Sequence, residues 1–336
     1  MAKKVLITGG GGSIGVHLVA DFLENTDWAV VVLDSFHHKG YRDRLNFLRH
    51  EHPEWSPRIT EYQHDLVCPI SPEMSAKIGP VDYIFHLAAL SDVFFSIENP
   101  VYVAKNNVDS TLTMLEYARQ IKPEQFIYFS TDEAYGPVPK GGAHKEWSAH
   151  RPSNIYAASK AACEDFCYAY WRSYGVPVII TNTMNNLGFM QSASKFPVII
   201  QKKVEAGEVV TIHGNKEEIG TRFYIDSRIT AEALRFIVAR GAHNHLTGEI
   251  DDPLRYHIVG DRAYSNLELA ELIAKLMGKD LKYELVDFHK ENPAHDIHYG
   301  LEDNNLRPNG WKPSKEFEQT LSEVIDWQTK NLEWIK

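Results

Sequence analysis

The chain has 336 residues, enough for one large domain or two smaller ones that each bury a hydrophobic core. Its 43% hydrophobic and 24% charged residues are typical of a globular protein, and no apolar run is long enough for a membrane span. A formal net charge of -10 argues against broad nucleic-acid binding, which requires a basic surface.

The first residues and the cysteines indicate the compartment. The start, MAKKVLITGG, reaches a predicted strand too soon for a signal peptide. Cys68, Cys163 and Cys167 match neither a disulfide framework nor a zinc site. Cys163 and Cys167 are one helical turn apart, which favours packing on a helix face over a redox pair. We therefore expect a cytoplasmic protein without a metal ion.

Buried strands alternate with amphipathic helices through the first half of the chain. Strands are predicted at KVLITGG, AVVVLDS, DYIFHLAA, QFIYFST and VPVIITNT, and helices at segments such as SIGVHLVADFLEN and NNVDSTLTMLEYARQI. This alternation predicts an α/β fold: a Rossmann-type doubly wound parallel sheet with helices on both faces. Right-handed crossovers then place the carboxyl ends of the strands, and any ligand, at one edge.

After about residue 188 the pattern changes to charged and glycine-containing loops, followed by helices such as SNLELAELIAKLMGK. We expect a smaller, mixed α/β C-terminal lobe that binds the substrate. The predicted Rossmann domain spans 1–188 with a returning segment at about 222–260, and the predicted substrate lobe spans 189–221 and 261–336.

The first predicted strand runs into a glycine-rich turn, VLITGGGGSIG, that opens a helix. Gly9, Gly12 and Gly15 permit a tight turn and a close approach of the backbone, while the amino terminus of the helix offers N–H groups to a pyrophosphate. Together with Ser13 and Ile14, this turn predicts a dinucleotide site.

An acidic residue follows at the position that selects the dinucleotide. Asp34 ends the second strand, at about the spacing from the turn at which a carboxylate binds the adenosine ribose hydroxyls. Its charge repels a 2′-phosphate and favours NAD over NADP, although Lys39 and Arg42 nearby are evidence for NADP. Asp65, with its neighbour Leu66, follows the third strand and is placed to meet the adenine.

Two polar residues four positions apart indicate proton chemistry. In NIYAASKAACEDF, Tyr156 and Lys160 lie on one face of a predicted helix, about 5 to 6 Å apart. A cation this close favours the phenolate, so we expect the pKa of Tyr156 to fall and the tyrosine to become a usable base.

The segment YFSTDEAYG places two adjacent carboxylates, Asp132 and Glu133, directly after a buried strand. Elimination of water requires an acid and a base that act together, and such a pair can supply both. The alternative interpretation is structural, with Asp132 capping the turn that follows.

These motifs together resemble a known family. TGGGGSIG, HLAALS, NNV, STDEAYG, YAASK, NNLG, AHDIHY and GWKP occur in order along nearly the whole chain. They resemble the extended short-chain dehydrogenase/reductases of the NAD-dependent epimerase/dehydratase family. Within that family, STDE followed by Tyr-Gly is most similar to the nucleotide-sugar 4,6-dehydratases of the dTDP-glucose type.

The resemblance implies a reaction and a role for each catalytic residue. Tyr156, with Lys160, takes the proton of the sugar 4-hydroxyl while C4 gives a hydride to NAD, and Thr131 hydrogen-bonds the same hydroxyl. Glu133 then removes the C5 proton and Asp132 protonates the departing 6-hydroxyl. Return of the hydride to C6 gives a 4-keto-6-deoxyhexose and water and leaves NAD unconsumed.

The resemblance also implies contacts with the two ligands. Besides the glycine turn, Asp34, Asp65, Leu66, Tyr156 and Lys160, the cofactor contacts are Leu87, Ala88, Ala89, Asn106 and Asn186. The contacts with a nucleoside diphosphate hexose are Ser91, Thr131, Asn185, Lys195, Arg222, His257, Asp296 and Tyr299.

The chain departs from the dTDP-glucose type on the substrate side. It has SDVFFS where those enzymes typically read SHVDRS, Asn182 where they carry arginine, and His257 where they carry asparagine. It also has Ile297 and His298 where they carry two arginines. Loss of two arginines on the diphosphate side weakens anion binding unless Arg222, Lys195 and His298 compensate. The reaction type is therefore better supported than the substrate, and thymidine, uridine or another base stays open for the nucleotide.

Other functions stay open on the same scaffold. A nucleotide-sugar 4-epimerase or a UDP-glucuronate decarboxylase-like enzyme would use the same tyrosine and lysine, and a non-catalytic NAD-binding sensor would keep only the fold. The resemblance further implies a homodimer, formed through the helices that carry STLTMLEYAR and residues 156–160. We expect neither a nucleic acid nor a membrane as a partner.

Overall fold

The computed structural model describes residues 2–38, 40–215, 217–241, 252–287 and 297–334. Its strands are β1 (Lys4–Thr8), β2 (Ala29–Asp34), β3 (Ile59–Gln63), β4 (Tyr83–His86), β5 (Gln125–Thr131), β6 (Val178–Thr183), β7 (Asn185–Leu187), β8 (Val209–His213), β9 (Thr221–Asp226), β10 (Leu254–Ile258), β11 (Ala263–Ser265) and β12 (Lys282–Val286). Its helices are α1 (Gly15–Asn25), α2 (Tyr41–Glu51), α3 (Pro72–Ile78), α4 (Val93–Glu98), α5 (Pro100–Ile121), α6 (Ile155–Tyr174), α7 (Phe196–Ala206), α8 (Ser227–Arg240), α9 (Asn266–Leu276) and α10 (Phe317–Lys330), with short 3-10 helices at Pro53–Arg58, Asp132–Tyr135 and Leu332–Trp334.

Seven of these strands form one sheet in the order β10-β6-β5-β4-β1-β2-β3. All neighbouring pairs in it are parallel. After β3 the chain returns to the other side of β1 as β4, so the strand order reverses between β1 and β4. At such a switch point the loops diverge to opposite faces and leave a crevice for a ligand. The predicted Rossmann-type α/β fold is confirmed.

Helices cover both faces of this sheet because the strand side chains are apolar in both directions. On β1, Val5 and Ile7 pack into a core that includes residues of α1 and α8. Leu6 points to the opposite face and packs into a core that includes residues of α5 and α6. Successive side chains of a strand alternate between faces, so an uninterrupted apolar run is what a sheet covered on both sides requires.

A smaller lobe is built from the three-stranded sheet β11-β9-β7 and the two-stranded sheet β12-β8. Residues of α7, α9 and α10 join these strands in a separate core that contains Ile200, Leu269 and Leu321. Between β9 and β11 the chain crosses back as α8 and β10, and β10 pairs with β6 in the large sheet. The bounds given above for the domain and the lobe stay a prediction.

Buried polar groups brace the strand ends at the switch point. At the end of β4, His86 Nδ1 lies 2.8 Å from Thr8 Oγ1 and its Nε2 lies 3.1 Å from Thr111 Oγ1. The Asn107 side chain accepts from the Leu90 N–H at 2.8 Å and donates to the Leu90 carbonyl at 3.1 Å. These bonds hold the loop after β4, which forms one wall of the crevice.

The two neighbouring cysteines pack as their spacing predicts. Cys163 and Cys167 are buried on α6, in the core between that helix and the sheet, and Cys68 is exposed. Across the described ranges, no helix has both the length and the apolar character that crossing a bilayer requires.

Candidate active site

A cavity of about 370 Å³ opens at the carboxyl edge of the large sheet, at the switch point between β1 and β4. Its lining includes all five residues predicted to be catalytic: Thr131, Asp132, Glu133, Tyr156 and Lys160. It also includes the other residues predicted to contact the dinucleotide: Gly9, Gly12, Ser13, Ile14, Asp34, Asp65, Leu66, Leu87, Ala88, Ala89, Asn106 and Asn186. One crevice thus holds the dinucleotide motif and the acid–base residues.

The glycine turn after β1 is shaped for the close approach of a ligand. Gly9 has a φ of +69°, and a Cβ at this position would lie 2.9 Å from the backbone of Ala88. A Cβ on Gly15 would lie 2.2 Å from the Gly9 carbonyl oxygen. The turn leads into the amino terminus of α1, whose first N–H groups have no partner within the helix and attract an anion. This cradle fits the pyrophosphate of a dinucleotide.

Asp34, at the end of β2, is held in place by the backbone. Its carboxylate accepts hydrogen bonds from the N–H groups of Gly11 at 3.0 Å and Phe36 at 2.9 Å. Burial has the largest effect and raises the pKa of Asp34, while these hydrogen bonds oppose the rise. A carboxylate fixed at this point suits a ribose diol and opposes a 2′-phosphate. Arg42, which favoured NADP, pairs with Glu61 at 3.7 Å, and Lys39 lies outside the described residues.

The adenosine end of the cavity has further lining residues that sequence reasoning missed. They are His37, His38, Tyr41 and His64. All four follow β2 or β3, so the signal that could have found them is their position just after a strand that ends at the ligand edge. Within the described part of the chain, no group of three His, Cys, Asp or Glu side chains is arranged to hold a metal ion.

The two adjacent carboxylates lie in the 3-10 turn that follows β5. Thr131 caps this turn, because its hydroxyl accepts from the Glu133 N–H, so the interpretation of Asp132 as the cap is wrong. Asp132 Oδ1 accepts from the Thr131 hydroxyl at 3.1 Å, and its Oδ2 is buried with no hydrogen-bond partner in the described structure. Burial, and then the charge of Glu133, raise the pKa of Asp132 to about 7. A carboxyl group that keeps its proton near neutral pH can act as an acid.

Glu133 is the less buried carboxylate of the pair. Its Oε2 accepts a hydrogen bond from the Asn154 side chain at 2.9 Å. Asn154 is also the N-cap of α6, so this bond ties Glu133 to the start of the helix that carries Tyr156. A half-buried carboxylate beside a protonated carboxylic acid supplies a base and an acid at one place.

Tyr156 and Lys160 lie on successive turns of α6, but their electrostatics differ from the expectation. Burial raises the pKa of Tyr156, the charge of Glu133 adds to the rise, and a hydrogen bond with Thr131 opposes it. Lys160 donates to the Phe129 carbonyl at 2.7 Å. The predicted fall in the Tyr156 pKa is therefore wrong, because burial and a carboxylate outweigh a lysine that is directed at a carbonyl oxygen.

The residues predicted to contact the substrate are brought together only in part. Ser91, Asn185 and Lys195 line the cavity together with Thr131. Arg222 donates to the carbonyls of Thr221 at 2.8 Å and Ile297 at 2.6 Å, and its guanidinium lies 4.8 Å from the centre of the Tyr299 ring. The positive charge of Arg222 is close enough to lower the pKa of Asp132, which places Arg222 and Tyr299 near the acid.

His257 lies away from the cavity, which corrects the prediction of a substrate contact. It is fully buried on β10. Its Nδ1 lies 2.6 Å from the Glu302 carbonyl oxygen and its Nε2 lies 2.9 Å from the Tyr135 hydroxyl. The histidine therefore belongs to a buried network beneath the turn that carries Asp132. Asp296 lies outside the described residues.

Aromatic and amide side chains complete the substrate side of the cavity. Phe95, from the divergent SDVFFS segment, packs edge to face on Tyr102 with 6.2 Å between ring centres, and both line the cavity. Gln191 also lines it, is buried, and donates to the Asn186 carbonyl at 2.8 Å. Sequence reasoning missed Tyr102 and Gln191, because neither belongs to a motif.

Comparison with known proteins gives one consistent family. The chain matches the family described as GDP-mannose 4,6 dehydratase over residues 6–324. It is 30% identical over 359 residues to dTDP-glucose 4,6-dehydratase 1 of Escherichia coli, and the alignment covers 99% of this chain and 94% of that protein. It is 31% identical over 339 residues to a trifunctional UDP-glucose 4,6-dehydratase of Arabidopsis thaliana, and the alignment covers 99% of this chain and 48% of that protein. The crystal structure of DesIV, a dTDP-glucose 4,6-dehydratase of Streptomyces venezuelae with NAD and TYD bound, matches with a TM-score of 0.84, 27% identity and 98% of both chains.

The raised pKa of Asp132 predicts a stability that depends on pH. The folded state holds this proton more tightly than the unfolded chain, in which the pKa is 3.8, so the stability from this group is complete below about pH 4 and is lost as the pH rises through about 7. The isosteric Asp132→Asn variant should therefore gain about 2 to 4 kcal/mol over the wild type at pH 8 and much less at pH 4.

Urea unfolding at the two pH values measures this difference. The exposed Asp280 provides a matched control, because Asp280→Asn removes a carboxylate that is already in solvent. An Asp132→Asn gain that is no larger at pH 8 than that of the control would contradict the assignment of a buried, protonated carboxyl.

Proposed function

We propose that this protein, which belongs to the GDP-mannose 4,6 dehydratase family, is an NAD-dependent nucleotide-sugar 4,6-dehydratase. The dTDP-glucose 4,6-dehydratases to which it is similar in sequence and in fold support this proposal. The protein is a hydro-lyase that converts a nucleoside diphosphate hexose to the 4-keto-6-deoxyhexose and water. One observation carries the proposal: Asp132 and Glu133 lie side by side in the cavity that also contains Tyr156 and the glycine turn. Epimerisation at C4 needs no such acid–base pair.

We assign the first proton transfer to Tyr156. Bound NAD supplies a hydride acceptor for C4 and a hydride donor for C6. Tyr156, hydrogen-bonded to Thr131, takes the proton of the C4 hydroxyl. A phenol can accept this proton only after it has lost its own, so Tyr156 acts as the phenolate. Burial opposes the phenolate, and the positive charges of Lys160 and of the oxidised nicotinamide, when NAD is bound, would favour it. Lys160, buried one turn along α6, supplies a positive charge on the same helix face.

We assign the elimination to the carboxylate pair. Oxidation at C4 places a ketone next to C5 and makes the C5 hydrogen acidic. Glu133, held by Asn154, removes that proton, and Asp132 gives its own proton to the departing C6 hydroxyl. The pKa of about 7 keeps Asp132 protonated for this step, while the less buried Glu133 serves as the base.

For the substrate we propose thymidine or uridine diphosphate glucose. The relatives support both, since one is named for dTDP-glucose and another for UDP-glucose. Lys195 and Asn185 line the cavity and can hold a diphosphate, with Arg222 nearby. Arg222 already donates to two carbonyl groups, so Lys195 is the better candidate for the main charge contact.

We propose a cytoplasmic location from the state of the cysteines. Cys163 and Cys167 are buried thiols, and Cys68 is an exposed thiol. Three unpaired thiols in one chain suit a reducing compartment.

We propose that the protein is a homodimer joined through α5 and α6. The two helices pack against each other and have 22 and 20 residues. Each leaves apolar side chains exposed: Val101 is 71% exposed on α5, and Tyr174 is 59% exposed on α6. Exposed apolar residues on two long neighbouring helices are suited to a four-helix interface between two copies. Light scattering at micromolar concentration should give twice the 38.3 kDa chain mass, and a monomer would contradict the proposal.

The first prediction of the proposed function concerns the product. Incubation with dTDP-glucose or UDP-glucose should give a 4-keto-6-deoxy sugar nucleotide, detected by its absorbance in alkali, with no net reduction of NAD. The ratio of kcat/KM for the two substrates identifies the preferred base. A product that keeps its 6-hydroxyl would indicate an epimerase, released carbon dioxide from a glucuronate substrate would indicate a decarboxylase, and either would contradict the dehydratase.

The second prediction separates oxidation from elimination. Glu133→Gln keeps the side-chain length and an oxygen that can accept from Asn154, but it removes the base. Product formation should fall by about 100- to 10,000-fold, while reduced nicotinamide still forms in the first turnover. The exposed Glu98 on α4 provides the control, because Glu98→Gln should retain product formation. Normal dehydration by Glu133→Gln would show that another group removes the C5 proton.

A further inference from the structure

A buried ion pair joins α6 to β10 beneath the catalytic turn. Arg255 Nη1 donates to Glu164 Oε2, and their side chains are 3% and 0% exposed. Glu164 lies four residues after Lys160 and eight after Tyr156, so the three side chains share one face of α6. A buried charge is costly unless it is paired and hydrogen-bonded, so this carboxylate depends on its partners.

Glu164 contacts the start of the catalytic turn. The hydroxyl of Ser130, at the end of β5, donates to Glu164 Oε1. Asn182 Nδ2 donates to the same oxygen at 2.7 Å and to the carbonyl of Thr131 at 3.0 Å. Burial alone would raise the pKa of Glu164, but Arg255 and then His150 outweigh it and lower that pKa to about 2. The group is therefore a fixed anion throughout the physiological pH range.

Arg255 contacts the end of the same turn. Its Nη1 donates to the hydroxyl of Tyr135 at 2.8 Å. That hydroxyl also lies 3.2 Å from Asn182 Oδ1, 2.9 Å from His257 Nε2 and 2.8 Å from the carbonyl oxygen of Glu146. Tyr135 is 1% exposed, so water does not compete for these contacts. The chain next to Tyr135 is also tightly packed, because a Cβ on Gly136 would lie 2.1 Å from a carbonyl oxygen.

We propose that Arg255 and Glu164 are positioning residues, which clamp the turn of Asp132 and Glu133 at both ends and tie it to the helix that carries Tyr156. The proposal rests on the proposed dehydratase function for its catalytic consequence. Ser130 and the Thr131 carbonyl are held at one end, and the Tyr135 hydroxyl at the other. The two acid–base residues between them are thereby fixed relative to the Tyr156 and Lys160 face of α6.

A purely stabilising role explains the arrangement less well. A buried ion pair contributes little net stability compared with apolar residues of similar volume, because the desolvation cost offsets the attraction. Here the pair and Asn182 make their bonds to the two ends of one short turn, and that turn carries the acid and the base. Elimination is sensitive to such placement, because an error of about 1 Å can cost about 100-fold in rate.

Tyr135→Phe is the sharpest test, because it removes one hydroxyl and keeps the buried ring and the ion pair. We expect kcat for dehydration to fall about 10- to 100-fold, with KM changed by less than about 3-fold. Oxidation at C4 does not use the acid pair, so reduced nicotinamide should accumulate in the steady state and be seen by its absorbance. Arg255→Met should give the same signature more strongly.

Arg235 on α8 offers a matched control. It forms an ion pair at 2.6 Å with the buried Asp21 of α1, and neither residue lines the active-site cavity. Arg235→Met should lower stability without accumulation of reduced nicotinamide. A loss of kcat in Tyr135→Phe that follows only the folded fraction, or wild-type kinetics in that variant, would overturn the clamp.

Hydrogen exchange gives a readout that does not depend on turnover. In Tyr135→Phe and Arg255→Met, amides of residues 132–136 should exchange at least about 10-fold faster than in the wild type, while the strands of the large sheet exchange as before. Unchanged exchange in this turn would overturn the clamp whether or not the enzyme is active. A wild-type protein that forms no keto sugar would instead count against the proposed function.

Discussion

The strands of the large sheet all run in the same direction, and this constraint brings the reacting groups together. Parallel strands end at one edge, so the loops that follow β1, β4 and β5 meet there although they are far apart in the chain. The glycine turn follows β1, and the carboxylate pair follows β5. The loop held by Asn107 follows β4 and separates them. The crevice at the switch point then gives a dinucleotide its place beside the acid and the base.

Burial at this edge determines which groups carry a proton. In water, Asp132 and Glu133 would both be ionised at neutral pH, but the buried turn keeps Asp132 protonated up to about pH 7. The same burial raises the pKa of Tyr156, so the phenolate that oxidation at C4 needs depends on nearby positive charge. Groups whose charge is this costly need rigid support. Beneath the turn, the fixed charges of Glu164 and Arg255 provide it, from positions outside the cavity lining.

Much of the fold and of the site could be predicted from the sequence because the relevant rules are local. Gly9 and Asp132 each follow a buried strand, and Tyr156 and Lys160 have helical spacing. The pKa of Tyr156 could not be predicted, because spacing shows the lysine but neither the burial nor the carboxylate across the turn. Tertiary packing determines both the burial of Tyr156 and its distance from the carboxylate of Glu133.

The residues that were missed or misplaced depend on chain paths that no short pattern encodes. Tyr102, on α5, and Gln191, between β7 and α7, both line the cavity. The side chain of His257 points into a buried network. The sequence alone does not show this orientation, because the side chains of a strand alternate between its two faces. The pair of Glu164 and Arg255 joins residues 91 positions apart, on a helix and a strand that meet only in the folded protein.

In the proposed reaction, one active site oxidises C4, eliminates water across C5 and C6, and returns the same hydrogen to C6. The most direct measurement uses a nucleoside diphosphate glucose deuterated at C4, with NMR analysis of the product. We expect deuterium in the C6 methyl group and a solvent hydrogen at C5. Deuterium retained at C4 of a sugar that still has its 6-hydroxyl would contradict the proposed reaction.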